Sequence, residues 1–278
     1  MASRYGFDEA KIARFRKEGR GQGAGPDYKP WLTVADVPSR GRAQRMPGFL
    51  TKRIHHLLSD LERNAFLIFD SSEGVTDIRE QFPMDADETL AIAEDAGIRH
   101  PVDATSRVPL VQTTDFLLDL YRDGGGVTVA RAVKPASELG KPRVVEKLEI
   151  ERRYWTSRGV DWGIVTEREL PPVLLANLEL LRSSRDIDQL MQPHEGYFQA
   201  RMHILDAELD RTPCATLREL VQDMDARLGM EAGSTLLLVH HLLATKAWRT
   251  DLMRPITDAL PISAIRREPA VSAGRASG

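Results

Sequence analysis

The chain has 278 residues, of which 42% are hydrophobic and 28% are charged. This composition is typical of one large or two ordinary globular domains, and it excludes a fibre or a long disordered chain. The single cysteine, Cys214, excludes an internal disulfide framework, and the absence of an apolar run of ~18 residues or of a signal-peptide core predicts a cytoplasmic protein without membrane contact.

The charge is distributed unevenly along the chain. The formal net charge is −3, yet in residues 1–56 Lys and Arg outnumber Asp and Glu by 12 to 5. Basic side chains that neutralise phosphates provide most non-specific affinity for nucleic acid, so this segment indicates a polyanion-binding surface, with a solvated basic face as the alternative. The best candidates for DNA phosphate contacts are Arg40, Arg42, Arg45, Lys52 and Arg53.

Hydrophobic periodicity predicts the elements of the first part of the chain. In chain order they are a helix over 8–18 capped by Asp8, an irregular segment over 19–30, a helix over 51–69, a strand over 74–84, a helix over 86–96, strands over 108–121 and 125–135, a helix over 141–158 and a strand over 161–166. This order favours an α/β fold in which a mixed sheet is flanked by helices.

The pair Pro171-Pro172 marks a change of composition, and the chain beyond it is mostly helical. Helices over 214–229 and 233–248, a short turn and a possible strand over 249–256 predict a winged-helix unit. The predicted organisation is therefore an α/β domain over 1–170, a winged-helix-like domain over 171–265 and a disordered tail over 266–278.

Three polar residues occupy positions where a core would favour apolar ones. Glu62 lies at the edge of an apolar helical stripe, where a carboxylate needs a cation to offset its desolvation. Asp115 interrupts a strand, and Lys134 ends the next strand just before Pro135. If the two strands form a hairpin, Asp115 and Lys134 face one cleft, although ordinary polar residues on a surface strand pair would produce the same pattern.

Restriction-type nucleases use this order of residues: a glutamate on a helix, an aspartate on a strand and a lysine at the end of the next strand. Hard oxygen ligands hold Mg²⁺ (which Mn²⁺ can replace), and the lysine would orient or help to deprotonate the attacking water. The predicted metal ligands are Glu62, Asp115 and the backbone carbonyl of Ala132, which has no side-chain ligand. Asp119 is a competing ligand, and whether one or two metals bind stays open.

The chain resembles TnsA, the endonuclease subunit of heteromeric TnsABC-type transposases. The matching segments follow the family order from about residue 8 to residue 170. They are KEGRGQGAGPDYKPWLTVADVPSRGR, HHLLSDLE, VTDIREQFP, AGIRHPV, TTDFLLD, VKP and EKLEIERRYW.

The resemblance implies a restriction-endonuclease-like core followed by a winged-helix domain, and it places the catalytic residues at Glu62, Asp115 and Lys134. Glu151 is implied as an acidic residue that contacts Lys134 or a second metal, and Ala132 departs from the Gln usual in relatives. The implied activity is cleavage of the 5′ strand at transposon ends. The implied partners are double-stranded DNA, a DDE transposase (TnsB) and an AAA+ regulator (TnsC) that contacts the C-terminal domain, in a bacterial protein that joins the nucleoid when active.

Two other functions remain open from the residues alone. One is a restriction or junction-resolving nuclease with the same fold. The other is a DNA-binding assembly subunit without catalytic activity, for which the loss of a side-chain ligand at Ala132 is the main indication.

Overall fold

The computed structural model describes residues 6–37, 42–212 and 214–268. The chain divides into two compact units, with the boundary between Leu170 and Pro171. Within these described ranges the first unit has four α-helices and six strands. They are α1 (Glu9–Lys17), β1 (Gln44–Pro47), β2 (Ile54–Leu57), α2 (Asp60–Ser71), β3 (Val75–Pro83), α3 (Ala86–Asp95), β4 (Thr113–Arg122), β5 (Gly125–Val133), α4 (Pro142–Thr156) and β6 (Asp161–Val165).

The central sheet of this unit has the strand order β3-β4-β5-β6. The first three strands form an antiparallel meander, whereas β6 returns through α4 and pairs parallel to β5. This confirms the predicted α/β class and the mixed sheet. The crossover helix follows from topology, because a parallel neighbour cannot be reached by a tight turn.

Helices cover both faces of the sheet. Phe116 of β4 makes an edge contact with Phe69 of α2, whereas the adjacent Leu117 packs with Tyr154 and Trp155 of α4. Neighbouring residues of a strand point to opposite faces, so α2 and α4 lie on opposite sides of β4. The core therefore has two apolar layers, and the polar residues of the site lie where the strands end.

The predicted helix over 51–69 is wrong in its first half. Residues Ile54–Leu57 form β2, which pairs with β1 in a separate two-stranded sheet, and α2 begins only at Asp60. His55 and Leu57 are buried while Ile54 is half exposed, which is the two-residue period of a strand. Over so short a window the helical and strand periods share several apolar positions, and the Ser59 cap decides where the helix begins.

The second unit packs four helices around one apolar cluster and adds a two-stranded ribbon. Its elements within the described residues are α5 (Pro172–Arg182), α6 (Tyr197–Glu208), α7 (Leu217–Leu228), α8 (Ser234–Ala244), β7 (Trp248–Arg249) and β8 (Arg266–Arg267). Trp248 is 1% exposed in this cluster, and its indole nitrogen donates to Asp206 Oδ1 at 2.7 Å. The ribbon is antiparallel and follows α8 directly.

Two predictions for this unit are wrong. The strand expected over 249–256 ends at Arg249, because Asp251 accepts hydrogen bonds from the backbone of Met253 and Arg254 and turns the chain. The tail expected to be disordered from residue 266 starts with β8, and Glu268 forms an ion pair with Arg249. The rest of that predicted tail, 269–278, lies outside the described residues.

The start of α8 is stabilised by a buried carboxylate on α7. Asp225 Oδ2 accepts from the Gly233 amide at 2.7 Å, and Oδ1 accepts from the Thr235 amide at 2.8 Å. The two amides belong to the first turn of α8, where helical partners are lacking. The side chain of Asp225 therefore fixes the angle at which α8 leaves the turn.

Asp225→Ala should destabilise the α7–α8 pair by about 1–3 kcal/mol, because the buried Thr235 amide and the Gly233 amide both lose their acceptor. Hydrogen exchange of the α8 amides in the full chain measures the effect. Asp223→Ala is the matched control on the same helix, since Asp223 is exposed and its ion pair with Arg227 should contribute less than about 0.5 kcal/mol. Equal effects of the two substitutions would contradict the capping role.

No helix of the described residues has the length and apolar character needed to cross a membrane.

Candidate nuclease active site

Glu62 is fixed by the start of its own helix. Ser59 is the N-cap of α2, and its hydroxyl accepts from the Glu62 amide at 3.1 Å. The Glu62 carboxylate in turn accepts from the Leu58 amide at 2.9 Å and from the Ser59 hydroxyl at 3.1 Å. This reciprocal capping arrangement restricts the rotamer of the carboxylate. Glu62 is 6% exposed, so its position is determined by the fold and not by solvent.

Asp115 and Lys134 form an ion pair across the β4–β5 hairpin. Lys134 Nζ donates to Asp115 Oδ2 at 2.7 Å and to the Val133 carbonyl at 2.9 Å. The same Asp115 oxygen accepts from the Val133 amide at 2.7 Å, and the Lys134 amide donates to Val165 of β6 at 3.0 Å. The backbone of two neighbouring strands therefore holds both residues at the end of the sheet.

Gln81 joins the two carboxylates, and sequence reasoning missed it. Its Nε2 lies 3.4 Å from Glu62 Oε2 and 3.3 Å from Asp115 Oδ1, and its Oε1 accepts from the Thr113 hydroxyl at 2.9 Å. Gln81 is 2% exposed. The signal in the sequence was the polar pair Glu80-Gln81, which breaks the alternation of β3 shortly before Pro83.

Glu151 of α4 adds a third buried carboxylate near the pair. It is 6% exposed, and its Oε1 has no hydrogen-bond partner among the described residues. Burial, followed by the charge of Asp115, raises the pKa of Glu151 to about 7, and the same two causes raise the pKa of Glu62 to about 7. Before a cation is bound, both glutamates therefore bind a proton more tightly than an ordinary carboxyl group does.

Lys134 has the opposite electrostatic balance. Burial lowers the pKa of its ammonium group, but the charges of Asp115, Glu151 and Glu62 outweigh burial and raise it above the ordinary value of 10.5. Lys134 therefore keeps its proton throughout the neutral range. With these groups alone, it acts as a fixed positive charge and not as a base.

The donor set fits a divalent cation. Glu62 and Asp115 provide oxygens within reach of a single Gln81 nitrogen, and one lysine faces three buried carboxylates. Hard oxygen donors with excess negative charge suit Mg²⁺ or Mn²⁺. The described residues contain no group of three or more His, Cys, Asp or Glu side chains already gathered around a metal position. Ala132 is fully buried and brings no side-chain oxygen, so coordination by its carbonyl stays a prediction.

Asp119 is not part of this site. It lies on β4 like Asp115, but its Oδ1 accepts from Arg79 at 2.6 Å and from the Thr128 hydroxyl at 2.7 Å. The four residue steps from Asp115 to Asp119 span about 13 Å along the strand, so a cation at Asp115 lies beyond the reach of Asp119.

The predicted phosphate contacts have different surroundings. Arg42, Arg45 and Lys52 are exposed on or beside the β1–β2 hairpin, and Arg45 pairs in register with His56. Arg53 differs from them, because its side chain is 8% exposed and bound to Glu80, so it does not present its charge to solvent. Arg40 lies outside the described residues.

Arg53 belongs to a buried polar network beneath the hairpin. Its guanidinium donates to both Glu80 oxygens at 2.5 and 2.8 Å, and His55 Nδ1 lies 2.7 Å from Glu80 Oε2. The His56 amide donates to Glu80 Oε1 at 3.0 Å, and His55 Nε2 contacts the Thr51 hydroxyl at 2.7 Å. The network anchors β2 to β3. β2 leads into α2, which carries Glu62, and Glu80 directly precedes Gln81 in β3.

Comparison with known proteins identifies the family. A model described as "TnsA-like endonuclease N terminal" matches residues 72–167, which include Gln81, Asp115, Lys134 and Glu151. A second, "TnsA endonuclease C terminal", matches residues 169–252. The chain is also 42% identical over 238 residues to the Transposon Tn7 transposition protein TnsA of Escherichia coli, with 86% of this chain and 84% of that protein covered. Together with the carboxylate and lysine site, these matches show that the chain belongs to the TnsA family of transposition endonucleases.

Proposed function

We propose that this chain hydrolyses the 5′ strand at transposon ends in a reaction that depends on Mg²⁺, during cut-and-paste transposition. The observation that carries the proposal is the buried Glu62, Gln81, Asp115 and Lys134 site in a chain of the TnsA family. Family membership supports transposition and DNA cleavage, and the oxygen donors support the metal.

Lys134, Glu62 and Asp115 have different roles in the proposed reaction. Lys134 holds a positive charge at the end of β5, where it can stabilise negative charge that develops on a phosphate oxygen. Glu62 and Asp115 would hold the cation and are kept in place by Ser59 and by the Val133 amide. When bound, the cation supplies Lewis-acid polarisation of the phosphate and lowers the pKa of a water.

DNA would reach this site over the β1–β2 hairpin. Its exposed Arg42, Arg45 and Lys52 lie just before the helix that carries Glu62, so phosphate contacts there would place the duplex beside the carboxylates. No base-reading element is evident on the hairpin, and targeting is assigned to the partner proteins.

The proposed partners are a TnsB-like DDE transposase, which would cut and join the 3′ ends, and a TnsC-like AAA+ regulator. We assign the regulator to the second unit, and we propose that α7, α8 and the β7–β8 ribbon form a winged helix. Support comes from the element order, since two helices joined by a short turn are followed by an antiparallel ribbon.

Asp115→Asn should abolish 5′-strand cleavage of a transposon-end duplex, with a rate loss of at least about a thousandfold, while 3′ joining by the partner transposase continues. The assay contains the full chain, the transposase and Mg²⁺, and chelation of the metal should reproduce the loss. Asp119→Asn is the matched control on the same strand and should cut within about threefold of the unaltered chain.

Three other outcomes of this assay would contradict the proposed function or support a different one. Normal cutting by Asp115→Asn would overturn the site. A folded, DNA-binding chain that does not cut and does not bind Mn²⁺ would be an assembly subunit. Cutting of DNA without a transposon end and without the transposase would indicate a restriction or junction-resolving nuclease.

A further inference from the structure

The backbone of Gln81 is held in an unusual conformation inside the sheet. Its φ is 48°, in the left-handed region, although Gln81 is not a glycine and lies within β3. Such a conformation costs about 1–2 kcal/mol for a residue with a Cβ atom, so other contacts have to maintain it. The Gln81 carbonyl accepts from the Trp31 amide at 3.2 Å, which is one of those contacts.

The conformation directs the Gln81 amide between two carboxylates. One nitrogen, Nε2, is within hydrogen-bonding reach of Glu62 Oε2 and of Asp115 Oδ1, at the long end of the range for both. The amide oxygen faces the Thr113 hydroxyl, which donates to it. The donor end of Gln81 therefore occupies the place where a cation would meet both carboxylates.

We propose that Gln81 is a ligand residue of the metal site and that its amide reverses when the cation binds. This inference rests on the proposed function. Without a cation, Nε2 bridges Glu62 and Asp115 and reduces their repulsion. With a cation, the amide turns end for end, so that Oε1 faces the metal and Nε2 donates to Thr113.

Thr113 makes the reversal possible. A hydroxyl both donates and accepts, so Thr113 can give a hydrogen bond to Oε1 in one state and receive one from Nε2 in the other. Neither state leaves the buried amide unsatisfied, which would cost about 1–3 kcal/mol. Gln81 thus supplies from β3 the side-chain oxygen that Ala132 of β5 cannot supply.

Calorimetric titration with Mn²⁺ tests the inference on the full chain, without a cleavage assay. Gln81→Met keeps the length of the side chain but removes the oxygen, and it should weaken Mn²⁺ binding by at least about tenfold. Gln81→Glu keeps an oxygen ligand and should bind within about threefold of the unaltered chain or more tightly. Thr113→Val should weaken binding by about 3- to 10-fold, because the reversed amide loses its acceptor.

Gln44→Met is the matched control. Gln44 Nε2 also donates to a carboxylate, that of Asp60, at 3.1 Å, but this contact is exposed and outside the site. It should leave Mn²⁺ affinity unchanged. Far-UV circular dichroism checks that every variant is folded, and if Gln81→Met does not fold, Gln81→Glu and Thr113→Val decide.

The possible results separate the inference from the proposed function. Equal affinity of Gln81→Met and the unaltered chain would overturn the inference alone. So would a Gln81→Glu variant that binds as weakly as Gln81→Met, because Gln81 would then act only as a hydrogen-bond donor. If the folded, unaltered chain does not bind Mn²⁺, the metal-dependent function itself fails, and the inference fails with it.

Discussion

Lys134→Met should lower the rate of 5′-strand cleavage by about a thousandfold or more while the chain stays folded. The substitution keeps the apolar stem of the side chain and removes the only ammonium group that touches Asp115 in the described site. Loss of a single preorganised charge that stabilises a transition state typically costs ~10²–10³ in rate, and the loss of ligand positioning at Asp115 adds to it.

Single-turnover cleavage of a transposon-end duplex, with the transposase and Mg²⁺ present, measures this effect. Lys141→Met is the matched control, since Lys141 is exposed and its ammonium donates to Glu138 at 2.5 Å, away from the candidate site. It should cleave within about twofold of the unaltered chain. Cleavage by Lys134→Met at the unaltered rate would exclude Lys134 from the chemistry and leave it a structural partner of Asp115.

In the site without a cation, the charges of Asp115, Glu151 and Glu62 outweigh burial and raise the pKa of Lys134, so its ammonium stays charged in the neutral range. This refines the role expected from the sequence, in which Lys134 could either orient the attacking water or take its proton. The contacts with Asp115 and Val133 favour orientation and charge stabilisation.

Glu80→Gln should have the largest effect on stability, a loss of about 3 kcal/mol at neutral pH. Burial alone would raise the pKa of the Glu80 carboxyl, but hydrogen bonds from Arg53 and His55 outweigh burial and lower the pKa from 4.5 to about 2. Each pKa unit corresponds to ~1.4 kcal/mol, and removal of one partner from a buried ion pair costs about 3–5 kcal/mol, so the two arguments agree.

The pH dependence has a definite sign. The folded-state pKa lies below the unfolded one, so the ion pair stabilises the fold fully above pH 4.5 and progressively less as the pH falls towards about 2. The difference between the unaltered chain and Glu80→Gln should therefore shrink over this window. Urea unfolding followed by the fluorescence of the first unit's tryptophans at several pH values measures it.

Glu88→Gln is the control for this substitution. Glu88 is exposed and pairs with Arg158, so its replacement should change stability by less than about 1 kcal/mol. A difference for Glu80→Gln that does not vary between pH 7 and pH 3 would contradict the charged state of Glu80 and indicate a packing defect instead.

The sequence predicts the meander well and brings Asp115 and Lys134 to the same end of it, for physical reasons. The apolar patterns of β3, β4 and β5 are strong and are bounded by glycine or proline residues. A tight turn joins β4 and β5 into one hairpin. Once that pairing is assumed, Asp115 and Lys134 must face each other at its end. The prediction therefore needed only local rules.

The remaining parts of the site depend on contacts that local rules do not contain. The contact of Gln81 with both carboxylates requires a left-handed backbone that a glutamine rarely adopts. Arg53 looked like a phosphate contact because its partner, Glu80, is 27 residues away in the sequence. The start of α2 could have been found, since Ser59 followed three residues later by Glu62 is a capping-box pattern that conflicts with a continuous helix.

The order of the strands has a consequence for folding kinetics. Gln81, Asp115 and Lys134 come from three consecutive strands, and the Asp115–Lys134 ion pair closes a loop of only 19 residues. Contacts between neighbours in sequence lose little chain entropy and form early, whereas Pro83 of β3 pairs with Thr113, and Val129 pairs with Asp161 of β6, each across about 30 residues. The Asp115–Lys134 part of the candidate site therefore belongs to the hairpin that can nucleate before β3, with Gln81, and the parallel edge are in place.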